Sequence, residues 1–254
     1  MKQEDKLHTY LSLCSEYYDL DKPEAPKDEL EFYMSYAKKV KGTILEPMCG
    51  TGRFLLPMVA AGVEVDGYDA SDYMLQLLKE KAEARSLSVN AWKQFAEEKR
   101  DEKKYDFIFI PSGSLGLIID DNKVDAVLKN MLNHLTEGGK FVFEVETLQF
   151  APNNLGRWEG NIINKSEDEY LMISTLALAP KNNIGTVICR YELIESGVVK
   201  NTEVEKMQIR MYEPEVMSAR LKNIGFSNVQ TIKACTHGSS PDSDDEMIVF
   251  ECEK

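Results

Sequence analysis

Short apolar runs alternate with helical periodicities over the first 150 positions. Residues 7–18 space Leu7, Tyr10, Leu11, Leu13, Cys14, Tyr17 and Tyr18 for an amphipathic helix. Pro23 and Pro26 interrupt the helical period, and residues 28–39 restart a helix with Leu30, Tyr33, Met34 and Ala37 on one face. Residues 43–46 form a short apolar strand that ends at an acid, Glu46. Residues 54–61 have helical spacing and Gly62 stops them; residues 63–69 are a second strand, again ending at an acid, Asp69. Ser71 is an N-cap for a helix through Ala84. Residues 87–92 read as a third strand, and Tyr105–Ile110 is the continuous apolar run that a buried parallel strand requires. A helix over 121–135 and a strand over 141–146 come next. This order predicts an α/β chain with a doubly wound parallel sheet, whose ligand crevice lies beyond the carboxyl ends of the strands.

From Phe150 the helical period vanishes. Residues 162–163, 170–179, 186–194 and 203–212 alternate or run apolar with β-rich composition, and Pro180, Asn182, Asn183, Ser196 and Gly197 mark turns between them. A meander of antiparallel strands is expected there. Pro214 opens a further helix in its first turn and Gly225 closes it. Residues 226–234 and 247–253 supply the last two strands. The chain divides accordingly into an N-terminal helical cap (1–42), a core (43–149), an antiparallel insertion (150–212) and a C-terminal helix and hairpin (213–254).

The chemistry concentrates at the first turn. Glu46 is followed by Pro47, Met48, Cys49 and the glycine bend Gly50-Thr51-Gly52-Arg53. A dinucleotide fingerprint needs a third glycine where Leu55 stands, and no phosphate-binding G-x-x-x-x-G-K-[ST] loop exists. A carboxylate just before the bend repels a pyrophosphate but suits an ammonium group or hydroxyls. Asp69 lies seventeen positions after Gly52 and can accept both hydroxyls of a ribose. A ligand with a ribose, a cationic end and no phosphate fits S-adenosylmethionine.

The segment Glu46-Pro47-Met48-Cys49-Gly50-Thr51-Gly52-Arg53, followed by Asp69-Ala70-Ser71-Asp72-Tyr73-Met74-Leu75, resembles the class I S-adenosylmethionine-dependent methyltransferases, in particular those acting on small molecules. The similarity runs over residues 28–147 and more loosely beyond. It implies a seven-stranded Rossmann-like sheet with helices on both faces, and an insertion after strand 5 that serves as a lid or a subunit contact. It implies cofactor contacts from Glu46, Gly50, Thr51, Gly52 and Arg53 at the bend, and from Asp69, Ala70 and Met74 at the second strand. Gln94 and Phe95 stand where such enzymes place an acid and an apolar residue for the adenine amino group. The resemblance also implies that Pro111 and Ser112 face the sulfonium, and that Tyr18 and Tyr33 correspond to the tyrosines of leading helices that close over the cofactor.

Methyl transfer from a sulfonium is an in-line displacement, so positioning in a dry site carries most of the work. No catalytic triad and no metal cluster is expected, and the sequence singles out no catalytic residue. Ser112, Ser114 and Glu146, with Trp158, Arg190 and Tyr191 from the insertion, are the polar or aromatic candidates near the crevice, and His237 sits in the loop between the last strands. His134 precedes the amino end of the fifth strand and reads as structural.

Composition narrows the partners. The 254 residues are 43% hydrophobic, and the net charge of −13 repels nucleic acid and anionic lipid. Lys99, Arg100, Lys103 and Lys104 alternate with acids and read as a solvated turn. Five scattered cysteines without C-x-x-C spacing indicate neither zinc nor a disulfide framework. The charged residues 1–6 and the lack of a long apolar run point to a cytoplasmic protein. The expected activity is methylation of a small-molecule acceptor at N or O, by a monomer or by a homodimer formed through the insertion. The alternatives are a cofactor-binding or partner protein of the same fold without activity, and a dinucleotide-dependent oxidoreductase, which Leu55 disfavours.

Overall fold

The computed structural model describes residues 7–98, 103–150, 152 and 154–254. Residues 1–6, Lys99 and Arg100 lie outside the described residues. In chain order the elements are α1 (Ser12–Asp21), α2 (Lys27–Ala37), β1 (Ile44–Pro47), α3 (Leu55–Ala60), β2 (Val65–Asp69), α4 (Asp72–Ala84), β3 (Asn90–Lys93) and β4 (Tyr105–Ile110). A 3-10 turn (Ser114–Leu117), α5 (Asp121–His134) and β5 (Leu135–Glu146) complete the first half. The second half holds β6 (Trp158–Asn164), β7 (Glu169–Lys181), β8 (Ile184–Glu195), β9 (Val198–Arg210), α6 (Pro214–Ile224), β10 (Ser227–Lys233) and β11 (Met247–Glu253).

The main sheet has seven strands in the order β10-β11-β5-β4-β1-β2-β3. The pairs from β5 to β3 are parallel, while β11 lies antiparallel to β5 and β10 antiparallel to β11. The chain works outward from β1 to β3, then restarts at β4 on the other side of β1. That reversal opens a crevice at the carboxyl ends of β1 and β4. Neighbouring side chains along each strand enter opposite cores. Ile108, Ile110, Phe141 and Phe143 pack with Val127, Leu128 and Met217 from α5 and α6. Phe107, Phe109 and Val142 pack with Tyr33, Leu55, Met58 and Leu78 from α2, α3 and α4. Helices therefore cover both faces, as the apolar run Tyr105–Ile110 demands.

The four remaining strands form a separate antiparallel sheet, β6-β7-β8-β9. Its inner face, with Leu171, Cys189 and Tyr191, packs on Leu13, Cys14 and Tyr17 of α1. The first helix starts at Ser12 and not at Leu7. Tyr10 is in the left-handed region, with φ 54°, and Leu11 is extended. The backbone N–H groups of Tyr10 and Leu11 donate to Glu205 at 3.0 and 2.8 Å, and that of Leu13 donates to Glu203 at 2.7 Å. Two β9 carboxylates thus satisfy donors at the start of α1 that have no partner within the helix. The third strand also starts later, at Asn90. Leu87 N–H is still bonded to Ala82 C=O, and Ser86 sits at φ 54°, so the helix exit consumes these positions.

Candidate active site

The bend after β1 is built for close approach. Gly50 has φ 53° and Gly52 φ 79°, and a Cβ on Gly52 would press on Leu56 and Leu78 at 3.0–3.1 Å. At the end of β2, Asp69 braces the bend. One oxygen accepts Gly50 N–H at 2.9 Å and the other accepts Ser71 N–H at 2.8 Å. Burial raises the Asp69 carboxyl, and these backbone donors pull it back down. Ser71 caps α4 by accepting Met74 N–H, and its hydroxyl donates to Tyr10 C=O at 2.7 Å. The residue preceding the bend's cysteine, Met48, also holds a left-handed conformation, φ 59°, which a non-glycine residue adopts at some cost.

Two adjoining cavities open beyond the carboxyl ends of the strands. The smaller, about 380 Å³, lies against Met48, Gly50, Asp69, Ala70, Met74 and the segment 94–97. The larger, about 820 Å³, lies between α1, the loop before α2 and the inner face of the second sheet, with Arg53, Ser112, Glu146 and Tyr191 in its wall. Tyr10, Tyr18, Ser114 and Leu117 line both. Tyr18 faces the Arg53 guanidinium at 5.2 Å, and Arg53 donates to Ser112 Oγ at 3.2 Å. Ser112 Oγ in turn donates to Glu29 at 3.2 Å.

Residues 44–139 match the family described as Methyltransferase domain. That match runs from β1 into β5, the part of the chain that carries the glycine bend and Asp69. YqeM of Bacillus subtilis (strain 168), provisionally named a methyltransferase, is 22% identical over 93% of this chain and 94% of its own. A second relative of that provisional description, from Geobacillus sp. (strain WCH70), is 26% identical over 52% of this chain, and the match spans 55% of its length. Among solved structures, an S-adenosylmethionine-dependent methyltransferase of Clostridium acetobutylicum superposes with a TM-score of 0.75, at 18% identity over 93% of this chain and 95% of that one. The S-adenosylmethionine-bound amino pentose methyltransferase CalS10 of Micromonospora echinaspora superposes with a TM-score of 0.68, at 14% identity over 98% and 100% of the chains. At such identities the superpositions show the methyltransferase fold, including its terminal antiparallel strands.

The structure sorts the residues singled out from the sequence. Gly50, Asp69, Ala70, Met74, Gln94 and Phe95 line the smaller cavity, Arg53 and Ser112 line the larger, and Tyr18 lines both. Thr51 and Gly52 support the bend from behind, where Thr51 Oγ1 accepts from Lys81 at 3.0 Å. Glu46 lines neither cavity: it is 2% exposed, beneath the bend, with Oε2 lacking a hydrogen-bond partner. Burial pushes its carboxyl well up, Arg53 opposes this, and Asp69 adds to it. Tyr33 is fully buried and its hydroxyl donates to Glu144 at 2.6 Å, because α2 turns this face into the core and not toward the crevice. Pro111 is likewise buried outside both cavities, its carbonyl accepting from Ser114. The Gln94 carbonyl accepts Trp92 Nε1–H at 2.8 Å and its amide donates to Glu98 C=O at 3.0 Å, so both ends of the side chain already have protein partners.

Of the wider candidates, Ser114, Glu146 and Tyr191 reach a cavity wall. Trp158 is 58% exposed on β6, and Arg190 points outward to pair with Glu192. His237 stacks on Phe32 at 4.4 Å and hydrogen-bonds Ser35, on the outer side of α2. His134 bonds Asn130 C=O at 2.7 Å at the end of α5. Sequence reasoning missed Met48, Tyr10, Glu97 and the segment 117–120 as cavity walls. Only Met48 carried a signal, its place between Glu46 and Gly50. No helix among the described residues is long and apolar enough to cross a membrane.

Proposed function

We propose that this chain transfers the methyl group of S-adenosylmethionine to a nitrogen or oxygen of a small-molecule acceptor. The observation that carries this reading is the pair of cavities that meet at Tyr10, Tyr18, Ser114 and Leu117. Both volumes fall in the range of small-molecule sites, roughly 300–1,000 Å³. The smaller suits the cofactor: Asp69 in its wall can accept ribose hydroxyls, Gly50 offers close backbone approach, and Met48, Met74 and Phe95 give apolar walls for a base. Glu46 lies beneath the bend with Oε2 unpartnered, and a cationic amino acid end reaching that oxygen would satisfy it and favour the charged form that burial disfavours. When bound, the cofactor supplies a methyl carbon carried on a positively charged sulfur.

The chain's own part is to align and to exclude water. Tyr10 and Tyr18 roof the junction, and the second sheet closes the acceptor side with Ile173, Cys189 and Tyr191. Holding the two reactants in line removes most of the entropic cost of their encounter. CalS10, which binds the same cofactor and acts on an amino pentose, supports a small acceptor. Calorimetric titration of the purified protein tests the reading. S-adenosylmethionine and its demethylated product should bind with micromolar affinity and raise the melting temperature, and a nicotinamide dinucleotide should do neither. Absence of heat and of any thermal shift with both sulfur ligands would sink it.

A further inference from the structure

We propose that Glu146 is the proton acceptor of this site and that the acceptor molecule is an amine that arrives as an ammonium ion. The inference rests on the methyl-transfer reading and adds the substrate class and the residue that prepares it. Glu146 ends β5 at the sheet's carboxyl edge and lines the larger cavity. Its carboxylate is tucked against the turn that divides the two cavities. A Cβ on Gly113 would overlap the carboxylate, and one on Gly116 would lie 2.9 Å from Oε2. Ser114, which lines both cavities, stands between these two glycines. The turn is therefore cut away where a carboxylate needs room.

Two carboxylates on β5 point the same way and are treated differently. Glu144 is committed: it accepts the Tyr33 hydroxyl at 2.6 Å and Ser112 N–H at 2.9 Å. Glu146 is 6% exposed and its Oε2 has no hydrogen-bond partner. A buried acceptor left unpaired is costly, and a bound N–H donor would satisfy it. The same cavity carries Asp21, Glu24 and Glu29 against Lys22 and Arg53, and so favours a cation. The titratable groups that feel Glu146 are Glu144 on its own strand and Tyr212 just beyond β9, and Glu29 and Arg53 line the same cavity. Burial pushes the Glu146 carboxyl up to about 7, where proton transfer near neutral pH is best matched.

In the reaction, the carboxylate of Glu146 takes one proton from the ammonium group, leaving a neutral amine and a carboxylic acid. The nitrogen lone pair then forms the N–C bond while the C–S bond breaks, its electron pair staying on sulfur. The methylated ammonium leaves, and the carboxylic acid returns its proton to water.

The test compares wild type with Glu146→Gln, using glucosamine against glucose and ethanolamine against ethylene glycol. Binding is measured by calorimetry on protein saturated with S-adenosylhomocysteine, and turnover is measured with S-adenosylmethionine across pH. Each amine should bind the wild type at least about tenfold tighter than its hydroxyl twin, a modest share of a charge-assisted hydrogen bond. Glu146→Gln should lose that preference while keeping cofactor affinity within about twofold, which also reports an intact fold. Amine turnover should rise with pH through about 7 in the wild type and fall by about 10²–10⁴ in the variant, with Glu146→Asp restoring part of it. No amine preference in the wild type, or a preference that survives Glu146→Gln, overturns the proposal. Failure of the methyl-transfer reading would look different: neither protein would bind either sulfur ligand.

Discussion

The two cavities share four residues yet are made in opposite ways. The smaller is built on a local frame: the bend after β1, the acid ending β2 and the cap of α4 are joined by hydrogen bonds spanning no more than 19 positions. The larger draws on α1, the β4–α5 turn, the end of β5 and the inner face of the second sheet. Its ties cross most of the chain, as in the Tyr10–Glu205 bond over 195 positions. On the proposed function, the local frame fixes the cofactor's geometry, while the walls of the acceptor cavity depend on long-range contacts.

The largest effect expected from breaking this contrast is at Asp69. Asp69→Ala removes the acceptor of two backbone N–H groups and of the proposed ribose contact. Hydrogen bonds to a charged group contribute about 1.5–3 kcal/mol each, so cofactor affinity measured by calorimetry should fall by at least about 100-fold. An affinity within about fivefold of wild type would mean that the bend does not need its brace.

The next effect belongs to the acceptor side and needs no ligand. Burial holds both Glu144 and Glu146 at about 7. Unfolded glutamates titrate near about 4.3, so the folded chain keeps these protons more tightly. The stability this gives is fully present below about 4.3 and is lost as pH rises through about 7. Thermal melts should show a midpoint that climbs on acidification from about pH 8 to about pH 5.5, with about 2 kcal/mol from each carboxyl over that range. Glu146→Gln should flatten the slope, and an unchanged slope would remove Glu146 from its cause.

The smallest effect lies at the boundary. Tyr33→Phe should leave cofactor affinity within about twofold, and lower stability by about 1–2 kcal/mol as Glu144 loses its donor. A fall in affinity beyond about fivefold would restore Tyr33 to the cofactor site.

The same contrast in construction decides how legible each half was. Asp69 and Ser71 could be read because a strand-ending acid after a glycine bend, and a serine before a helical period, are local signals with one structural solution. Gln94 and Tyr33 are legible by position alone, and position does not reveal that Trp92 and Glu144 claim their polar atoms. Glu46 ends the first strand and so reads as a ligand contact, yet the backbone turns the bend over it and leaves it buried. The second sheet was visible as β-rich alternation, but nothing local in Glu203 or Glu205 announces a partner almost two hundred residues earlier. The glycines that make space for Glu146 read as an ordinary turn until the carboxylate is seen against them.

Glu203 and Glu205 give that second sheet a hold on the first helix, whose Tyr18, with the preceding Tyr10, forms part of the ceiling of both chambers. Any change in β9 that loosens this hold reshapes both rooms together. Selection for a new acceptor through the inserted strands would therefore be felt as a drift in affinity for the methyl donor, even when every residue of the glycine bend stays the same.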